Sequence, residues 1–262
     1  MDLDLGGKTA LVTGSSKGLG FATARLLAAE GCNVVICGRD EKSLTSASDA
    51  ISAEGGSCLG LVTDLNDESA RERLVQQAME RFGAIDIAVL NTGGPAPGNF
   101  QDIGLSDWDR GYQTMIRPVV DLIQRVTPGM IERKWGRLLT ITSLAVKSPV
   151  EMLALSGSLR MSLAGLMRVL ANELGPHGIT ANSILPGYTL TERMEAVMKS
   201  QAQSNEVRPA EALASIEKNI PLRRVGRPEE FGATAAFLVS GPAGFINGQA
   251  ILVDGGLVPT TF

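Results

Sequence analysis

Histidine and cysteine are scarce in this 262-residue chain, which contains one of the first and three of the second. With a single histidine the chain lacks the usual ligands of a metal site, so no metal site is predicted. The cysteines lie in or beside predicted strands, without C-x-x-C spacing, at Cys32, Cys37 and Cys58. This pattern is typical of small buried residues in a reducing compartment rather than of disulfides.

Long apolar runs and excess positive charge are also missing. No stretch reaches the roughly 20 apolar residues that a membrane helix needs. The N-terminal segment carries neither the basic nor the apolar region of an export signal. The net charge is −4, and the absence of a basic block argues against a nucleic-acid partner. We therefore expect a cytoplasmic protein that binds neither membranes nor nucleic acids.

The composition favours an α/β protein, because 44% of the residues are hydrophobic and 30 glycines supply many tight joints. Short apolar strands are predicted at 8–12, 32–37, 58–63, 85–90, 137–142, 179–185 and 250–253. Helical patterns separate them, and this alternation indicates a parallel sheet covered on both faces. The predicted fold is a Rossmann-type doubly wound parallel sheet of about seven strands, in a single domain over 1–262.

The stretch from Lys8 to Gly20 organises the rest of the chain. A buried strand leads into a turn that contains Gly14, Gly18 and Gly20, and a helix with apolar residues at three- and four-residue spacing follows. Glycines let the backbone approach a ligand closely, and the first N–H groups and dipole of a helix favour an anion. We therefore predict a nucleotide cradle formed by Gly14, Ser16, Lys17, Gly18, Leu19 and Gly20.

Thr13, Gly14, Gly18 and Gly20 resemble the T-G-x-x-x-G-x-G fingerprint of the short-chain dehydrogenase/reductase family. The resemblance extends over essentially the whole chain. It implies an oxidoreductase that uses a nicotinamide cofactor on a small carbonyl or alcohol substrate, like the members labelled 3-oxoacyl-acyl-carrier-protein reductases. It also implies a homo-oligomer, a dimer or tetramer, which pairs through the predicted helices at 106–134 and 157–174.

The residues after the second strand favour NADP(H) over NAD(H). An acidic residue there would bind the two ribose hydroxyls of NAD, and Gly38 occupies that place. Arg39 can face a 2′-phosphate instead, and Lys17 in the glycine turn can flank it. The alternative interpretation is that both are solvated surface charges. Asp40 is predicted to cap the next helix.

The resemblance assigns further cofactor contacts to residues that follow later strands. Asp64 and Leu65 match the pair that contacts the adenine edge, although Asp64 could also be a simple turn residue. Asn91 and Gly93 match residues that line the cofactor. Near the nicotinamide, the resemblance implies contacts from Pro186, Gly187 and Thr191. The polar segment 188–220, predicted to be helical, is the candidate substrate lid.

The catalytic positions depart from the family pattern. The family uses a Ser, a Tyr thirteen residues later, a Lys four residues after the Tyr, and an Asn on the preceding helix. Ser143 matches the Ser, but Ser156 and Arg160 stand in place of the Tyr and Lys, and Met115 in place of the Asn. Arg160 keeps a positive charge for ribose hydroxyls, yet it does not deprotonate and cannot join a proton relay.

A replacement proton donor is therefore needed if the protein turns over. Lys147, four residues after Ser143, is one candidate, and Tyr188 after the Pro-Gly pair is another. The competing interpretations are a solvated cation and a packing aromatic. Tyr112 is expected in the core or an interface, and His177 in a surface turn. The alternative function is a protein that binds or senses NADP(H) without catalysis.

Overall fold

The computed structural model describes residues 1–195, 198 and 208–260. Within them, one parallel sheet has seven strands in the order β3-β2-β1-β4-β5-β6-β7. The strands are β1 (Thr9–Val12), β2 (Asn33–Gly38), β3 (Ser57–Val62), β4 (Ile87–Asn91), β5 (Gly136–Ile141), β6 (Ile179–Pro186) and β7 (Ala250–Val253). The predicted doubly wound sheet of about seven strands is confirmed.

Helices cover both faces of this sheet. In chain order they are α1 (Gly18–Ala29), α2 (Glu41–Ala53), α3 (Glu68–Phe82), α4 (Leu105–Gly111), α5 (Arg117–Arg133), α6 (Ala154–Leu174), α7 (Pro209–Asn219) and α8 (Pro228–Leu238). Helices α1, α2 and α8 pack on one face, and α3, α5 and α6 pack on the other. The strand–helix alternation in the sequence predicts this arrangement, a sheet with helices on both faces.

Side chains of the central strands alternate between the two cores. In β1, Ala10 and Val12 belong to the core under α1 and α8, whereas Leu11 belongs to the core under α5 and α6. The period of two residues is that of any strand. Because both faces are covered, both sets are apolar, and the strand reads as a continuous hydrophobic run.

Local capping residues set several helix ends, and the cap predicted at Asp40 is confirmed. The Asp40 carboxylate accepts a hydrogen bond from the Ser43 N–H at 2.8 Å and caps α2. Asp67 does the same for α3 through the Ser69 N–H at 2.9 Å. Helix α3 ends at Gly83, whose φ of +79° is accessible to glycine at little cost.

The sequence predicts a helix over 106–134 that is interrupted or kinked at Pro118 and Pro128, and the structure divides this region differently. Helices α4 and α5 are joined by a π-helical turn at Tyr112–Ile116, and Pro118 lies in the first turn of α5. Pro118 has no N–H to donate to the preceding helical turn, and the π-helical turn stands directly before it. Helix α5 continues through Pro128, so the break expected at that residue is absent. Tyr112 is 48% exposed, which excludes the core position, and its other predicted place, in an interface, stays a prediction.

The segment predicted as a lid leaves and rejoins the sheet edge at one point. Thr189 forms a parallel bridge with Gly226, where the Leu190 N–H donates to the Gly226 carbonyl at 2.9 Å. Helix α7 lies between these two anchors. Part of the predicted lid, at 196–197 and 199–207, lies outside the described residues.

Candidate cofactor and catalytic site

The predicted site residues meet at one edge of the sheet. All strands are parallel, so their carboxyl ends share that edge. Gly38, Asn91 and Pro186 are the last residues of β2, β4 and β6. The glycine turn follows β1, and Ser143 follows β5 by two residues.

The turn after β1 is locked to β4. The Thr13 hydroxyl donates to the Asn91 carbonyl and accepts from the Asn91 N–H, both at 2.8 Å. The Asn91 amide donates to the Gly14 carbonyl at 3.1 Å. Gly14 has a φ of +56°, and a Cβ there would lie 3.0 Å from Asn91 Nδ2. A Cβ on Gly20 would overlap the Gly14 carbonyl oxygen. Two of the three glycines are therefore required by packing, in addition to any ligand.

The N-terminus of α1 has no side-chain cap. Lys17, the residue before the helix, is extended, and its side chain does not bond the first turn. That turn also lacks an acidic residue. Gly18 has a φ of +60°, and the nearest atom to a Cβ there would be Thr191 Cγ2 at 3.7 Å. The first N–H groups of the helix, which include Leu19, thus suit an anionic ligand such as a dinucleotide pyrophosphate.

The two cations expected at a 2′-phosphate, Arg39 and Lys17, have different surroundings. Arg39 is exposed and has no partner among the described residues. Lys17 instead forms an ion pair with Glu192, with 3.0 Å between Nζ and Oε2. The two side chains are 53% and 71% exposed. A Cβ on Gly38 would lie 2.8 Å from Ser16 Oγ, so an acidic residue in this place would require Ser16 to move.

Asp64 follows β3 in a tight turn. Its carboxylate is exposed and accepts a hydrogen bond from the Asn66 N–H at 3.0 Å. Leu65 is half-buried, and its carbonyl accepts from Arg71 Nη1 at 2.6 Å. The turn role that the sequence left open for Asp64 is observed, and its second carboxylate oxygen has no protein donor among the described residues.

Ser143 begins a short turn above β5. Its Oγ accepts a hydrogen bond from the Ala145 N–H at 3.2 Å, so the hydroxyl proton is available to another acceptor. Lys147 closes this turn. The Lys147 side chain is exposed, and its ammonium group has no partner among the described residues.

Arg160 and Ser156 lie one turn apart on α6 and contact each other. Arg160 Nε donates to Ser156 Oγ at 3.3 Å. Its other nitrogens donate to two backbone carbonyls, those of Ile141 at 3.1 Å and Thr92 at 3.4 Å. The side chain is buried, and burial, with a smaller effect from Arg193, lowers the pKa of Arg160 to about 10. The guanidinium therefore stays charged at neutral pH.

The loop after β6 packs against the turn after β7. A Cβ on Gly187 would lie 2.6 Å from Asp254 Cβ, so only glycine allows this approach. Thr191 Oγ1 accepts a hydrogen bond from the Met194 N–H at 3.3 Å. Its methyl group lies over the glycine turn, close to Gly18. Tyr188, in the same loop, is half-buried.

Residues 14–258 match a family model described as enoyl-(acyl carrier protein) reductase. Oxidoreductase UcpA of Salmonella typhimurium is 36% identical over 256 residues, which cover 96% of this chain and 95% of the relative. Dehydrogenase/reductase SDR family member 4 of Oryctolagus cuniculus is 33% identical, over 96% and 94% of the two chains. The chain belongs to the short-chain dehydrogenase/reductase family.

Solved structures agree with this assignment. The NADPH-dependent reductase YwfH, involved in bacilysin biosynthesis, matches with a TM-score of 0.92 and 29% identity, over 97% of this chain and 99% of its own. L-Sorbose reductase from Gluconobacter frateurii, in complex with NADPH and L-sorbose, matches with a TM-score of 0.94 and 27% identity. The match covers 99% of this chain and 100% of that chain. A further relative found by sequence, NADPH-dependent reductase BacG of Bacillus subtilis, is 30% identical, over 95% of this chain and 97% of the relative.

Met115, which the sequence resemblance places at the family's relay Asn, carries a hydrophobic side chain. Met115 lies in the π-helical turn and is fully buried in the core beneath the sheet. Its thioether is at most a weak hydrogen-bond acceptor. Gly93, after β4, is exposed, and a Cβ there would meet nothing within 4 Å, so the turn is open on that side.

Two charged residues at the site were missed in the sequence. Glu192 pairs with Lys17, and Arg193 lies against Gly94 in the turn after β4. Both follow the Pro186-Gly187 pair within seven residues, and a charged pair so close to the nicotinamide region was the available signal.

Neither a metal nor a membrane site is apparent in the part of the chain that the structure describes. That part contains no cluster of His, Cys, Asp or Glu able to hold a metal ion. None of its helices combines the length and apolarity needed to span a bilayer. Burial raises the pKa of both Cys32 and Cys37 to about 12, which makes these thiols unreactive at neutral pH.

Proposed function

We propose that this protein is an NADP(H)-dependent oxidoreductase that acts on a small carbonyl or alcohol substrate. The observation that carries the proposal is the uncapped N-terminus of α1 above a glycine turn whose approach to β4 leaves no room for side chains. Relatives described as NADPH-dependent or solved with NADPH support the choice of cofactor. We also propose that 1–262 form one domain, in which 188–220 covers the substrate.

The cofactor would extend along the carboxyl edge of the sheet. The α1 N-terminus would hold its pyrophosphate, and Arg39, exposed and unpaired among the described residues, would hold the 2′-phosphate. Bound there, the nicotinamide supplies or accepts a hydride. The remaining proposed contacts come from the turns after β1, β3, β4 and β6: Gly14, Ser16, Lys17, Gly18, Leu19, Gly20, Asp64, Leu65, Asn91, Gly93, Pro186, Gly187 and Thr191.

Arg160 would position the cofactor without moving a proton. A guanidinium has five N–H groups, and Arg160 spends three hydrogen bonds on Ser156 and two backbone carbonyls. The remaining N–H groups suit the hydroxyls of the nicotinamide ribose. Its bonds to the ends of β4 and β5 keep the fork in place, so its role is orientation and positive charge.

Ser143 and Lys147 would act on the substrate oxygen. Ser143 already accepts a bond from the Ala145 N–H, so its own proton can be donated to a substrate carbonyl. Lys147 stands at the end of the same turn, and we propose it as the proton donor. An ammonium group is a stronger acid than an aliphatic hydroxyl, which favours Lys147 over Ser156.

The first test is calorimetric titration with NADPH and, separately, NADH. Tight binding of NADPH and weak binding of NADH is expected, and the absence of both would end the oxidoreductase proposal. NADPH oxidation is then measured with a panel of carbonyl compounds, in the wild type and in Ser143→Ala. The substitution should lower kcat/KM about 100-fold or more, because an oxyanion donor is lost. Ser158→Ala is the matched control, since Ser158 is exposed on α6 and bonds only the Ala154 carbonyl. Equal rates in both variants would contradict the proposal.

A second candidate function is NADP(H) binding without turnover. The observation that favours it is the triple change at Met115, Ser156 and Arg160, with the Arg160 fork committed to backbone carbonyls. The double variant Ser156→Tyr/Arg160→Lys separates the two candidates. A large gain in carbonyl reduction favours a degenerate enzyme, whereas no gain indicates a pocket that no longer accepts a substrate.

We further propose a homo-oligomer, a dimer or tetramer, that pairs through α4, α5 and α6. Large hydrophobic side chains remain exposed on α4 and α6, namely Leu105 on α4 and Met161 and Val169 on α6. Sedimentation velocity tests this point. A single species of the 27.6 kDa monomer would contradict it.

A further inference from the structure

Two arginines flank the short turn that follows β4. Arg193, in a helical turn at 192–195 that follows β6, lies against Gly94, where a Cβ would be 2.9 Å from Nη2 and 3.2 Å from Nη1. On the same turn, the Thr92 carbonyl accepts a hydrogen bond from Arg160 Nη2 at 3.4 Å. Arg160, from α6, and Arg193, from the segment after β6, thus converge on residues 92–94.

No carboxylate among the described residues compensates this pair. Arg160 is bonded to a hydroxyl and two carbonyls, and Arg193 has no hydrogen bond or ion pair within the described ranges. The acidic residue beside Arg193, Glu192, is turned toward Lys17. The charge of Arg193 contributes to the lowered pKa of Arg160, which means that the two cations repel each other. Like charges held together are costly unless an anion binds beside them.

We propose that Arg193 binds a negatively charged group of the substrate, a carboxylate or a phosphate, so that the preferred substrates are anionic carbonyl compounds. This inference rests on the proposed oxidoreductase function. The guanidinium fork matches both kinds of oxyanion through two parallel N–H donors. The cofactor phosphates already have the α1 N-terminus and Arg39, so the charge of Arg193 is in excess of what the cofactor needs.

Close packing against Gly94 gives Arg193 a defined place. Because glycine lacks a side chain, the flat guanidinium can rest on the backbone of the turn. A methyl group there would push the end of this flexible side chain away while its charge is kept. Gly94→Ala is therefore a test of position, and Arg193→Met a test of charge.

The experiment compares three pairs of compounds that differ in charge: acetoacetate and methyl acetoacetate, 4-oxopentanoate and its methyl ester, and dihydroxyacetone phosphate and dihydroxyacetone. For each pair, kcat/KM with NADPH is measured at fixed ionic strength. In the wild type, we expect the charged member of at least one pair to be preferred about tenfold or more, as a charge-assisted hydrogen bond allows. The carboxylate and phosphate pairs identify which oxyanion is recognised.

Arg193→Met should abolish that preference, chiefly through KM, and Arg193→Lys should keep part of it. Gly94→Ala should reduce it as well. Arg81→Met is the control, because Arg81 is an exposed arginine at the far end of α3, and its preference should match the wild type. The NADPH dissociation constant should change less than about twofold in Arg193→Met, since the phosphates bind elsewhere.

Two results would overturn the inference. One is that the neutral members are used as well as the charged members in all three pairs. The other is that Arg193→Met lowers kcat/KM equally for both members and weakens NADPH binding, which would assign Arg193 to the cofactor. If no compound is reduced, the oxidoreductase proposal fails separately. In that case, each of the six compounds is titrated into the NADP⁺ complex in a calorimeter. Binding of the charged members that is stronger than that of the neutral members, and that is lost in Arg193→Met, supports the anion site. The absence of such binding refutes the anion site.

Discussion

Thr13 offers the sharpest test of how the cradle is held. Its side chain is 1% exposed, and its hydroxyl both donates to and accepts from the Asn91 backbone at 2.8 Å. Thr13→Val keeps the shape of the side chain and removes both bonds. Each buried backbone group left without its partner costs about 1–3 kcal/mol. Two such groups predict a loss of about 2–6 kcal/mol in the free energy of unfolding.

Urea unfolding at one fixed protein concentration measures this loss, because the stability of an oligomer depends on concentration. Thr13→Ser is the matched control, which keeps the hydroxyl and loses one methyl group, worth about 1 kcal/mol. NADPH affinity should fall in Thr13→Val as well. The reason is that the Asn91 amide, placed by Thr13, also bonds the Gly14 carbonyl at 3.1 Å.

The stabilising role of the Thr13 hydroxyl is refuted if the free energy of unfolding of Thr13→Val lies within about 0.5 kcal/mol of the wild-type value. That is the range of an ordinary surface substitution. It also fails if Thr13→Ser is as destabilised as Thr13→Val, because the methyl group and not the hydroxyl would then matter. An unchanged NADPH affinity in a destabilised Thr13→Val would separate the two consequences. It would limit Thr13 to a role in the sheet.

Three further predictions concern charges at the surface. Arg39→Met should weaken NADPH binding about 10–100-fold in calorimetry through the loss of a charged hydrogen bond, with NADH nearly unaffected; equal losses for both cofactors would contradict it. Glu192→Gln releases Lys17 and should tighten NADPH binding about 2–5-fold, as expected from one exposed ion pair, and the gain should vanish at high salt. Arg224 and the capped helix start lower the pKa of Glu230 to about 2. This stabilisation is complete above the unfolded-state pKa near 4.5 and lost as pH falls toward 2. The difference in Tm between wild type and Glu230→Gln should therefore shrink below pH 4.5, and a constant difference would contradict this.

The local features of the fold were readable in the sequence. A strand with buried residues on both faces is a short apolar run, as in 9–12, and a helix start such as the one at Asp40 carries its own capping residue. Gly14 and Gly18 have positive φ values that glycine adopts freely, so their spacing alone marks the turn. These signals arise within a few residues and need no distant partner. The order of the strands, by contrast, was not predicted from the sequence and comes from the tertiary structure.

The sequence predicted less well where the helices over 106–134 change conformation. The π-helical turn at Tyr112–Ile116 adds a residue to one turn of a continuous helical pattern, and neither Gly111 before it nor Pro118 after it predicts that insertion by itself. Pro128 is accommodated inside α5, which the local preference of proline alone disfavours. Both are outcomes of packing a long helix on the sheet, where burial of one face outweighs local propensity.

Long-range pairing decided the chemistry of the site. Lys17 was expected at a phosphate, yet Glu192, 175 residues later, lies within 3.0 Å of it. The guanidinium of Arg160 reaches carbonyls at the ends of two strands, and Arg193 rests on a glycine that no local pattern connects with it. Residue types and spacings determined the fold and the glycine turn, and they predict the departures from the family's catalytic set. Which charges meet depends on the edge where parallel strands end, because that edge gathers residues that are far apart in the chain.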